Sequence, residues 1–174
     1  MIPNDSTTSL APGLSPPWLS SRTRPSQTQR NRPKRFASPE AAQWIEPAER
    51  SAPIAYFRKD IYLSSLPEQA WIEVAASDTF GLIVNGRTVG TEGSVKTFEA
   101  GIYDIKPALK TGTNVIAVSV SRTSFPGPAQ LLVRGEVREP GGNVVNILSD
   151  ESWRVTNHTG MVLGSEAWTS PQVQ

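Results

Sequence analysis

Cysteine is absent from the 174 residues, and histidine occurs once. Without cysteine the chain can form no disulfide, no thiolate metal site and no cysteine nucleophile. The single histidine, His158, stands apart from any nucleophile motif and from metal-ligand spacing, so it reads as a solvated loop residue. No apolar run approaches the roughly 18–20 residues needed to span a membrane. The apolar core of a signal peptide is missing too, since Met1-Ile-Pro-Asn-Asp leads into Ser, Thr and Pro. By that sign the chain is either cytoplasmic or a processed or excised piece of something longer. There is no phosphate loop, because Gly90-Thr-Glu-Gly93 follows a hairpin signal rather than a strand entering a helix.

What is present divides in two. Residues 1–40 are rich in Ser, Thr, Pro, Arg and Gln, and their sparse apolar residues show no period. Such a stretch cannot bury enough surface to offset its ordering entropy, so a disordered or extended arm is expected. It carries six basic and two acidic groups, against eleven basic and fourteen acidic in the remainder. A mildly acidic body argues against a nucleic-acid-binding domain, and the one basic run, Gln29–Arg35, is too short to reverse that. Trp18 and Phe36 are the arm's candidate anchors for docking on a partner or a neighbouring subunit.

The texture changes near Trp44, and residues 41–170 are expected to form one domain. Short apolar or alternating runs recur there, separated by turn residues. They fall at 56–63, 70–76, 80–85, 87–90, 95–98, 115–120, 130–138, 144–148 and 154–156. Asn85-Gly86 is a strong hairpin signal, because both residues tolerate positive φ. Residues 103–109 give the one helix-like turn, with Asp104 as its cap and Pro107 limiting its length. About eight short strands with almost no helix predict an antiparallel β-sandwich or barrel. Trp71 and Trp153 are expected in its core.

The ordered run also carries a family likeness. Ala55-Tyr-Phe-Arg58-Lys59 is followed by Ala70-Trp-Ile-Glu-Val-Ala75-Ala76-Ser-Asp78 and by Leu82-Ile-Val-Asn85-Gly86-Arg87-Thr-Val-Gly90. Then come Tyr103-Asp104-Ile105, the stretch Leu109-Lys110-Thr-Gly112-Thr-Asn114-Val115-Ile116-Ala117-Val118, and Leu148-Ser-Asp150-Glu-Ser-Trp153-Arg154-Val155. This set resembles the galactose-binding-like β-sandwich (jelly roll) found beside the catalytic domains of α-L-rhamnosidases, β-galactosidases and related glycoside hydrolases. The likeness covers about Trp44 to Trp168. It implies a non-catalytic carbohydrate-associated binding or scaffolding module of an exported protein, extracellular or in the cell envelope, with no cofactor.

Candidate ligand residues follow from chemistry. Arg122 and Phe125 lie in a proline-stiffened loop between two strong strands. Asp78 sits in a turn, where it could cap the backbone, orient Arg87 or meet a sugar hydroxyl. Trp44 and Trp168 flank the domain and could stack on a pyranose or fill a seam with another domain. The acids Glu46, Glu49, Glu68, Glu73, Glu92, Glu99 and Glu139 fall mostly in loops or at solvent-facing strand positions. No pair among them stands out as the two carboxyls of a glycosidase. A second function class stays open: a structural or assembly subunit, with a homo-oligomer among its forms, that packs through its sandwich and arm against a neighbouring protein.

Overall fold

The computed structural model of the protein describes residues 42–92, 100–124, 126–158 and 168–171. These form two antiparallel sheets, with a 3-10 turn at Lys106–Ala108. The strands are β1 (Ile54–Leu63), β2 (Gln69–Ala76), β3 (Thr79–Val84), β4 (Arg87–Glu92), β5 (Ala100–Asp104), β6 (Gly112–Ser121), β7 (Leu131–Arg138), β8 (Val144–Leu148) and β9 (Arg154–Thr156). The larger sheet runs β4-β3-β6-β1-β9 and the smaller β5-β2-β7-β8. Among the described residues no helix is long and apolar enough to cross a membrane.

Alternation explains the layering. In β2, Ala70, Ile72, Val74 and Ala76 are buried while Gln69, Trp71 and Glu73 face outward. In β3 the inward set is Phe80, Leu82 and Val84. The sheets meet over Phe57, Leu63, Ile72, Leu82, Ile116, Leu131 and Ile147, each almost fully buried. Each such side chain contributes about 1.5–3 kcal/mol relative to exposure. β6 is central: β1 pairs with it on one side and β3 on the other. Val115, Ile116, Ala117, Val118 and Val120 accordingly lose nearly all contact with water.

Registers place the loops at two ends. Thr79 and Ile54 both pair with Ser121, and Ala76 pairs with Leu131. That end, the loop end, therefore carries residues 77–78 and 122–130. The opposite end carries residues 64–68, 105–111 and the tight turns at 85–86 and 139–143.

The β3–β4 turn has φ of 51° at Asn85 and 80° at Gly86, as a two-residue hairpin of this twist requires. Asn85 does more than turn the chain. Its backbone N–H donates to the Val115 carbonyl at 2.9 Å, and its Oδ1 accepts the Val115 N–H at 2.8 Å. Its Nδ2 donates to the Ala108 carbonyl and to Asn114 Oδ1, both at 2.8 Å. The fully buried Asn114 in turn donates to the carbonyls of Lys110 and Gly112.

Several sequence expectations are corrected. Tyr103 belongs to β5, not to a helical turn, and packs inward with its ring 6.2 Å from Phe80 in a T-shaped pair. The 3-10 turn begins only at Lys106, and Asp104 accepts the Lys106 N–H at 3.0 Å from one position before the cap, Ile105. Trp71 is half-buried on the outer face, because its parity in β2 is opposite to that of Ile72. Trp153 is in the core, its indole N–H donating to the Leu148 carbonyl at 2.7 Å. The strand expected at residues 95–98 lies outside the described residues.

Gly90 and Tyr103 make a close approach. A Cβ on Gly90 would stand 2.1 Å from Tyr103 Cε1, in a ring fixed between the sheets. Gly90→Ala is expected to lower stability by about 1–3 kcal/mol through overpacking. Urea denaturation would check it, and an unchanged midpoint would contradict this packing.

Candidate functional site

At the loop end, Asp78 acts as a clamp. The residue is 6% exposed. Its Oδ1 accepts the Thr79 N–H at 3.0 Å. Its Oδ2 accepts the N–H groups of Thr123 and Ser124, each at 2.6 Å, and the Thr123 hydroxyl at 3.2 Å. One carboxylate thus fastens the β6–β7 loop to the β2–β3 turn. Ser77 supports it: the hydroxyl donates to the Pro128 carbonyl and accepts the Gln130 N–H, both at 3.0 Å.

Arg122 fixes the other side of that loop. Its Nη1 donates to the Gly127 carbonyl at 2.6 Å and the Arg50 carbonyl at 3.2 Å, and its Nη2 to the Ser51 carbonyl at 3.3 Å. The Arg122 backbone N–H donates to the Pro53 carbonyl at 2.7 Å. The guanidinium therefore holds residues 50–53 against 122–127. Asp78 does not orient Arg87, whose Nη1 reaches toward the Pro107 carbonyl at the far end.

The entering chain completes this end. Ile45 exchanges two backbone hydrogen bonds of 2.9 Å with Leu131, and Gln43 donates to the Ser149 carbonyl at 2.8 Å. This seats Trp44 at the rim, 41% exposed. The structure thus brings Asp78, Arg122 and Trp44 to one end. Trp168 lies at the other end: its neighbour Thr169 accepts the Gly86 N–H at 2.7 Å, and the Trp168 indole N–H is buried without a hydrogen-bond partner. Phe125, Trp18 and Phe36 lie outside the described residues.

Glu139, read from the sequence among acids mostly in loops or at solvent-facing strand positions and at the start of a tight turn, is 2% exposed at the hairpin end. Its Oε1 accepts the Ser65 N–H at 2.7 Å and the Ser64 hydroxyl at 2.9 Å, and its Oε2 accepts the Asn143 amide. The Ser65 N–H is the main cause that brings its pKa down to about 2, against burial, which pushes the other way. The only sequence sign of this was the tight Glu139-Pro-Gly-Gly-Asn143 turn. Glu136 is also buried, facing Trp71 across the β2–β7 ladder and paired with Arg138. His158 is exposed, as read from the sequence. Among the described residues no cluster of three His, Asp or Glu side chains could hold a metal ion.

The architecture matches segments of larger solved proteins. An α-L-rhamnosidase from Streptomyces avermitilis, complexed with L-rhamnose, is 22% identical over 76% of this chain and 13% of its own, with a TM-score of 0.62. One from Dictyoglumus thermophilum is 21% identical over 67% of this chain and 16% of its own, with a TM-score of 0.61. A lectin from Pleurotus ostreatus in complex with GalNAc is 22% identical over 76% of this chain and 38% of its own, with a TM-score of 0.59. The fold is a galactose-binding-like β-sandwich. The chain spans well under half the length of each of these proteins. No protein-family model and no curated protein matches the sequence.

Two outcomes test these arrangements. Asp78→Ala removes the acceptor shared by the Thr123 and Ser124 amides, so hydrogen exchange there should speed up by at least about tenfold while β2 and β7 stay protected. Equal protection in the variant would refute the clamp. For Glu139 the folded pKa lies below the ordinary 4.5. Its contribution is therefore complete above about pH 4.5 and fades as the pH falls toward 2. Glu139→Gln should flatten the acid limb of a stability–pH curve in that window, and a curve parallel to that of the unaltered protein would contradict the assignment.

Proposed function

We propose that the chain is a non-catalytic, carbohydrate-associated module of an exported protein, extracellular or in the cell envelope, which binds a glycan or scaffolds a sugar site for a neighbouring domain. The observation that carries this reading is the loop end: a sheet-to-sheet crossing held rigid by Asp78 and Arg122, with exposed Trp44 beside it. Loops fixed by a sandwich are good places for recognition, because the ordering cost is met before binding. The likeness to a lectin that holds GalNAc and to rhamnosidases, one of them with L-rhamnose, adds support. So does the small share of each rhamnosidase that this chain spans, which suits an accessory role.

In this reading Trp44 and Phe125 supply apolar faces for a sugar. Arg122 and Asp78 act chiefly by positioning the loop, and Trp168, at the far end, meets a neighbouring domain rather than the same ligand. Affinity electrophoresis of the whole chain through gels containing plant, fungal and bacterial polysaccharides tests it. Retarded migration in at least one gel is expected, and uniform migration in all would remove the reading.

A second reading, a structural subunit that assembles through its sandwich and arm, has its own observation. Ile102 and Val144, 40% and 42% exposed, both stand on the outer face of the four-stranded sheet. Light scattering on the whole chain and on a chain lacking residues 1–40 separates the two. A monomer in both cases counts against assembly.

A further inference from the structure

The rim around Trp44 also carries polar side chains. Because Ile45 is bridged antiparallel to Leu131, alternation puts Trp44 and Glu46 on one side of the entering strand, with Glu46 opposite Gln130. The side chains agree: Gln130 Nε2 donates to Glu46 Oε2 at 3.1 Å. Arg50 closes on the same carboxylate from its exposed side, with Nε 3.0 Å from Glu46 Oε1 and Nη2 3.4 Å from Oε2. The Arg50 side chain is 67% exposed and the Glu46 side chain 31%. The backbone below is held by the Ile45–Leu131 bridge, by the Gln43–Ser149 bonds and by the Ser77 hydroxyl on the Gln130 N–H.

We infer that Trp44, Glu46, Arg50 and Gln130 form a saccharide-binding patch for the terminal pyranose of a neutral glycan. The inference rests on the carbohydrate reading above and gives it an address. An indole face accepts the apolar C–H face of a pyranose. A sugar hydroxyl both donates and accepts, so it needs partners of both kinds within one ring's width. Gln130 Oε1 accepts, while Arg50 Nη1 and the second Gln130 N–H donate. Glu46 is neutralised by Arg50, so the patch has no net charge with which to hold a uronic acid or a sulfated sugar. Its geometry is pre-set, because the carboxylate bridges an amide from the β6–β7 loop and a guanidinium from the entering segment. The patch differs from the Arg122 cluster, whose donors point to backbone carbonyls.

Isothermal titration of the whole chain with neutral oligosaccharides ending in rhamnose, galactose or N-acetylgalactosamine, and with a galacturonate oligomer, gives the test. Trp44→Ala should weaken binding of a neutral sugar about tenfold or more, the scale of a lost aromatic platform. Gln130→Ala should weaken it by a smaller factor. Ile102→Ala, elsewhere on the smaller sheet, should leave it unchanged. Thermal melts of each variant show that the fold is intact. Wild-type affinity in a folded Trp44→Ala protein overturns the patch and leaves the carbohydrate reading standing. Preference for the galacturonate oligomer overturns the neutral class. Absence of heat with every sugar, in a chain that no polysaccharide gel retards, overturns both the patch and the reading.

Discussion

Among the nine described strands, six of the eight successive pairs lie in different sheets. The described crossings leave the ladder and bring backbone N–H and carbonyl groups to the margin of an apolar core, where an unpaired group costs about as much as a lost hydrogen bond. This requirement governs both ends of the molecule. At several of these places one polar side chain satisfies groups from two separate segments. Asp78 serves the β2–β3 and β6–β7 crossings, Glu139 stands between the β1–β2 crossing and the β7–β8 turn, and Asn85 with Asn114 serves the β5–β6 crossing. Ser149 does likewise for the entering segment and β7.

The strands were readable because their signals are local. Val115–Val120 announces a buried strand by β-branching alone, and Asn85-Gly86 announces its turn by its tolerance of positive φ. Misreadings arose where the answer depends on the opposite sheet. Tyr103 looked like a piece of a helical turn because Asp104 and Pro107 follow it, yet the ring fills the space that Gly90 leaves between the sheets. Trp71 looked like core by size, but one residue of parity sets it outside. Glu139 looked like a turn acid, and nothing local shows that Ser64 and Ser65, seventy-odd residues earlier, surround it.

The candidate site was readable only where its signals are local too. Composition and loop chemistry pointed to Trp44, Asp78 and Arg122, and the registers gather these three at one end. What each does there depends on partners far off in sequence. The Arg122 guanidinium is held by carbonyls of residues 50, 51 and 127, so it braces the loop against the entering segment. Glu46, Arg50 and Gln130 went unnoticed as a group because 84 residues separate Glu46 from Gln130, and only the Ile45–Leu131 bridge makes them neighbours.

The attachment of Thr169 to the Gly86 turn has a mechanical meaning. The described chain enters beside Leu131 at one end of the strands and is last seen against the β3–β4 turn at the other. Tension applied between Gln43 and Thr169 would run along the strand axes. Gln43 is bonded beside the smaller sheet and Thr169 beside the larger, so such a pull would pass from one sheet to the other through the apolar core they share. The packing of the two sheets on each other, and not any single ladder, would then set the load at which the sandwich gives way.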